Sequence, residues 1–69
     1  MEYGKVKWFN EEKGFGFITR ESGEKDIFVH RNNVENLGRD ESLKEHDEVE
    51  FTVSETPKGL SATEVYVLE

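Results

Sequence analysis

The stretch KGFGFITR, residues 13–20, alternates so that Phe15, Phe17 and Thr19 share one side of an extended strand while Gly16, Ile18 and Arg20 share the other. The segment DIFVH, residues 26–30, behaves alike, with Ile27 and Val29 on one side and Phe28 and His30 on the other. Both faces of these two strands are therefore apolar. A third strand-like run, EVEFTV at 48–53, is half-buried in the ordinary way: Val49, Phe51 and Val53 face one direction, and Glu48, Glu50 and Thr52 the other. If Ile18, Ile27 and Val29 join Val49, Phe51 and Val53 in one core, then Phe15, Phe17, Phe28 and His30 lie together on an outer surface. The competing arrangement, in which the rings close the second side of a barrel, suits a 69-residue chain poorly because so small a barrel has little interior to fill.

Outward from these strands, β-branched and aromatic runs recur between turn-forming clusters, and no long segment keeps a helical period. The pattern predicts an all-β fold with strands at 3–10, 15–20, 26–30, 48–55 and 61–67. NEEKG at 10–14 and ESGEK at 21–25 supply Asn, Ser and Gly for tight turns, which makes the first three strands an antiparallel meander. Pro57-Lys58-Gly59 forms the last turn. Between 31 and 47 the pattern lapses, with Val34, Leu37 and Leu43 apolar among polar neighbours. Asn32 or Asn33 is the expected cap of a short helical turn carrying Val34 and Leu37. There is no internal repeat and no linker, so residues 1–69 are expected to form a single domain.

Composition narrows the function classes. Hydrophobic residues make up 33% of the chain and charged residues 36%, a balance compatible with folding only when the apolar positions are strongly patterned. Cysteine is absent, which excludes disulfides and thiolate metal sites and suits a reducing cytoplasm. No apolar run approaches the length of a membrane span. The formal net charge of −7 argues at first against a polyanionic partner, yet residues 1–20 carry four basic and three acidic side chains, +1, while the remainder carries five and thirteen, −8. Whatever the first segment binds is therefore not repelled locally. Flat exposed rings suit unpaired bases, which stack for roughly 1 to 3 kcal/mol each without specific hydrogen bonds. Lys5, Lys7 and Lys13 are placed to meet phosphates, and the glycines flanking Phe15 are expected to open the backbone to close approach.

At this point the motifs resemble the cold-shock domain family. GKVKWFNEEKGFGFI is similar to that family's first strand, turn and first ribonucleoprotein-type motif, DIFVH is similar to its second, and VEFTV and KGLSATEV extend the likeness over nearly the whole chain. The resemblance implies a five-stranded antiparallel OB-fold barrel that binds single-stranded DNA or RNA. It assigns base stacking to Trp8, Phe15, Phe17, Phe28 and His30, polar and phosphate contacts to Lys7, Asn10 and Lys13, and a further contact to Lys58. Trp8 shares a parity set with Val6, so its outward placement requires a bend or bulge in the first strand. Three departures stand out. Arg31 occupies a position where bacterial members commonly carry an aromatic residue; a guanidinium plane stacks on bases and pairs with phosphate, so it joins the candidate site. The loop NLGRDESL offers Arg39 in place of an aromatic residue, and KGLSA has Leu60 and Ser61 where proline and glutamine are frequent.

An RNA-recognition motif also fits KGFGFITR but needs two substantial helices. An SH3-like module that holds peptides on its aromatic surface suits the acidic composition and leaves the interleaved lysines unexplained. The carboxylates are dispersed, His30 and His46 lie in separate segments, and no Gly-rich phosphate loop leads into a helix, so neither catalysis nor a metal or other cofactor is expected. The expected state is a cytoplasmic monomer that opposes secondary structure in RNA, as an RNA chaperone does, and has no membrane or small-molecule partner.

Overall fold

The computed structural model describes residues 1–39 and 42–68. Five strands, β1 Glu2–Asn10, β2 Phe15–Arg20, β3 Ile27–His30, β4 Glu48–Thr56 and β5 Gly59–Val67, close into a barrel in the order β1-β2-β3-β5-β4. The first three strands form the expected meander, with Val6 opposite Ile18 and Phe17 opposite Phe28. β4 and β5 make a hairpin around the Pro57-Lys58 tip, and β4 returns to pair with β1. All these pairings are antiparallel. Closure is completed by a short parallel pairing of β3 with β5, Phe28 to Ser61 and Val29 to Ala62, which the expectation of an antiparallel barrel did not contain. The two strands are joined through a long connection and β4, so no hairpin geometry constrains their relative direction.

The core is the one that alternation predicts. Ile18, Ile27, Val29, Val49 and Phe51 are fully enclosed together with Val6, Ala62 and Val65, and Val53 packs against them from a half-buried position. One charged side chain accompanies them. Arg20 is 7% exposed and donates from Nε and Nη2 to the two carboxylate oxygens of Glu2, at 3.0 and 2.9 Å, with Glu24 3.8 Å away. The Glu2 hydrogen bonds raise the pKa of the guanidinium above its ordinary value, so Arg20 remains charged where it is enclosed.

The long connection is tied along β5. Val34 is buried and bridges Val65, Glu35 N–H donates to the Val65 carbonyl, and the Asn36 side chain exchanges two hydrogen bonds with the Val67 backbone, at 3.0 and 2.8 Å. Asn36 thereby imitates a strand partner. The short helical turn exists as a 3-10 turn at Arg31–Asn33, but its cap is His30 and neither of the asparagines; Val34 closes the turn from the C-terminal side. The extended backbone of His30 at the end of β3 brings its ring within 3.1 Å of the Asn32 N–H, and the imidazole takes the place an asparagine side chain was expected to fill. Asp40 and Glu41, within the NLGRDESL loop, lie outside the described residues.

Candidate nucleic-acid interface

Four aromatic rings form a closed cycle on the outer face of β1, β2 and β3. Trp8 meets Phe15 and Phe17 with ring centroids 6.0 and 5.4 Å apart, and Phe28 meets the same two phenylalanines at 5.7 and 5.9 Å. Neighbouring planes are inclined by 31 to 78°: Trp8–Phe15 and Phe17–Phe28 meet edge to face, while Trp8–Phe17 and Phe15–Phe28 are tilted. Trp8 is 39% exposed, while the phenylalanines are half-buried. His30 stands opposite Phe15 in the β2–β3 register and extends the platform along β3. Its Nδ1 accepts the Asn32 N–H, and Nε2 has no hydrogen-bond partner among the described residues.

Trp8 reaches this face through a β-bulge. The β1–β2 register runs Val6 to Ile18 and then Trp8 to Phe17, leaving Lys7 as the extra residue, so that Val6 points into the core while Lys7 and Trp8 both point out. The bulge demands space. A Cβ on Gly16 would collide with the Trp8 carbonyl oxygen and come within 2.7 Å of the Phe9 Cα, so only glycine lets β1 lie this close to β2. Gly14, at φ +78°, turns the chain back into β2, and the Arg31 guanidinium covers it at 2.7 Å from where a Cβ would stand. Both glycines are buried. The expectation that they open the backbone to a ligand is therefore corrected: Gly16 accommodates a neighbouring strand, and Gly14 accommodates Arg31.

The polar residues divide according to what already holds them. Asn10 organises the β1–β2 turn, its Oδ1 accepting the Lys13 N–H at 2.9 Å and its carbonyl accepting the Gly14 N–H at 2.7 Å, so it positions Lys13 beside Phe15. Lys13 and Lys58 have no hydrogen-bond or ion-pair partner for their ammonium groups among the described residues. Lys7 does: its Nζ lies 2.9 Å from Asp26. Arg31 donates to the Glu11 carbonyl at 3.3 Å, which leaves most of its donors free at the edge of the platform next to Phe15.

A groove of about 430 Å³ continues the platform between the β2–β3 loop and the β4–β5 tip. Phe17, Phe28 and Leu60 line it together with Lys25, Lys58, Arg20 and Asp26. The sequence pattern does not mark Lys25, and it marks Leu60 only as a departure from the family. The signal for Leu60 was its place beside the hairpin tip, where a large apolar side chain is exposed without a core to enter; it is 46% exposed. Lys25 carried no signal, because only the fold brings the β2–β3 loop opposite Lys58.

A closed five-stranded barrel with an aromatic platform on its meander defines an OB-type nucleic-acid-binding domain. The family model for the "'Cold-shock' DNA-binding domain" matches residues 2–68, and the chain belongs to that family. It is 52% identical over 65 residues to the cold shock-like protein CspJ of Salmonella typhimurium, covering 94% of this chain and 91% of that one. It is 48% identical over 68 residues to the cold shock-like protein CspA of Bordetella pertussis, covering 99% and 100%. Among solved structures, "drosophila Unr CSD456" superposes with a TM-score of 0.80 at 29% identity over 99% of the present chain and 26% of that much longer one.

Proposed function

We propose that this protein binds single-stranded DNA and RNA by stacking successive bases on Trp8, Phe15, Phe17, Phe28 and His30, and acts as an RNA chaperone in the cold-shock response. The observation that carries this reading is the closed cycle of four rings on the outer face of β1–β3, a contiguous aromatic surface that is only partly covered. Lys7, Lys13, Arg31 and Lys58 meet the phosphates, and Asn10 holds the turn that aims Lys13. Sequence preference is low because every base offers a face to a ring. Unpaired strands held in this way are withdrawn from hairpins. The family is one of nucleic-acid binders and not of enzymes, and no residue here is given a catalytic role. Among the described residues no helix is long and apolar enough to cross a membrane; a cytoplasmic monomer is the state that accords with the net charge and composition.

The test is an RNA hairpin carrying a fluorophore and a quencher at its two ends. Added protein is expected to open it at stoichiometric concentrations, and a Phe17→Ala/Phe28→Ala double variant is expected to leave it closed. Equal opening by the folded double variant would show that the rings are not the binding surface.

A further inference from the structure

A second exposed aromatic pair lies at the far end of β1 from Trp8. The register sets Tyr3 of β1 opposite Glu50 of β4, and Glu50 opposite Tyr66 of β5. Two tyrosines, 47% and 42% exposed, therefore flank one carboxylate across three strands, about 10 Å apart at the usual strand spacing. Glu50 has no ion-pair partner among the described residues, nor do Glu48 and Glu21 nearby. Beside Tyr3 opens a groove of about 260 Å³ whose walls include Val49, Leu68, Glu21, Glu48 and Lys5. Leu68 is itself 37% exposed. The volume suits one aliphatic side chain.

This face is the chemical opposite of the ring platform. Tyrosine beside unpaired carboxylates repels phosphate, whether of nucleic acid or of a lipid headgroup, and a second copy of a chain with net charge −7 would bring like charges together. Lys5 stands opposite Glu48 without pairing to it and Arg20 is held by Glu2, so the carboxylates of Glu21, Glu48 and Glu50 outnumber the cations beside them and a further cation suits the face. Between two tyrosine rings, a guanidinium can stack on one face and donate to Glu50 at once, which a compact ammonium does less well. We propose that the Tyr3–Glu50–Tyr66 row is a docking surface for a cationic protein segment that places an arginine on Glu50 and a neighbouring aliphatic side chain in the groove between Tyr3 and Leu68. The protein would then hold a nucleic acid and a basic protein segment on separate surfaces.

The experiment is an amide-resolved NMR titration of the full chain with a capped peptide of alternating arginine and leucine. Saturable shifts are expected at Tyr3, Lys5, Glu48, Glu50, Tyr66 and Leu68, with oligothymidine affinity held within about twofold because the two surfaces are distinct. Glu50 is half-buried, and Glu50→Gln is nearly isosteric and so preserves the fold; it should weaken the peptide by about tenfold, as loss of a charged hydrogen-bond partner does. Glu55→Gln removes the same charge near the hairpin tip and should change affinity by less than about twofold. A Tyr3→Ser/Tyr66→Ser variant, its fold verified by the same spectrum, should also lose binding. Equal effects of the two glutamine variants, shifts centred on Trp8 and Phe28, or no saturable shift at all would overturn the proposal.

Discussion

The β2–β3 ribbon and the β4–β5 hairpin are built from similar residues and are used in opposite ways. Each contributes one apolar row to the same core, Ile18, Ile27 and Val29 from the ribbon and Val49, Phe51, Ala62 and Val65 from the hairpin. Their outer rows differ. The ribbon turns Phe15, Phe17, Phe28 and His30 outward, whereas the hairpin turns out Glu48, Glu50, Thr52, Glu64 and Tyr66. Fold stability is thus shared between the two regions while three of the four rings in the proposed stacking cycle lie in one, so substitutions should separate the two properties.

The largest effect tests the shared core. Phe51→Ala empties a fully buried site and should lower stability by about 3 to 5 kcal/mol, enough to unfold much of so small a domain, as denaturant melts would show. Phe28→Ala, on the other side of the comparison, should lose about 1 to 3 kcal/mol of oligothymidine affinity and cost less stability than Phe51→Ala, because its ring is half-buried. If Phe28→Ala unfolded the protein as readily as Phe51→Ala, the distinction between the two regions would fail.

Salt dependence sharpens the picture further. With four cations meeting phosphates beside the rings, the slope of log affinity against log salt should stay at about −3, the value for about four phosphates on a single strand. Lys13→Gln should reduce the magnitude of that slope by about 0.7, and Lys7→Gln by less, because Lys7 must first leave Asp26. Equal changes in the two variants would show that the Asp26 pair does not restrain Lys7. The smallest effect concerns the acidic hairpin side: screening its carboxylates should raise the unfolding midpoint by a few degrees between low and moderate salt. A flat midpoint would show that repulsion there is negligible.

Alternation made both rows of the ribbon legible in the sequence, since a one-residue error would have put Phe15 and Phe17 inside and Ile18 outside. The five strand positions followed from the same pattern and its turn residues. Trp8 was different: parity alone paired it with Val6, and only the family motif required the bulge at Lys7 that the structure contains. What alternation could not carry were relations between distant segments. The Arg20–Glu2 pair, the Lys7–Asp26 pair, the groove shared by Lys25 and Lys58 and the parallel closure of β3 on β5 each join residues whose local patterns are independent. The two glycines show the same limit from another side. Their lack of a side chain was visible, but whether a ligand, a strand or Arg31 would use the space depended on the completed barrel.

Trp8 is the single tryptophan and sits within the ring cycle, so its fluorescence reports the proposed surface directly. The measurement that bears most closely on the stacking surface is its quenching during titration with a short oligothymidine, repeated with Phe15→Ala and Phe28→Ala. The account predicts saturable quenching in the wild-type protein and a midpoint shifted by about fivefold to a hundredfold or more in each folded variant, the range that loss of one stacked base implies. Unchanged midpoints in both variants, or no quenching and no binding by a label-free method in the wild-type protein, would contradict it.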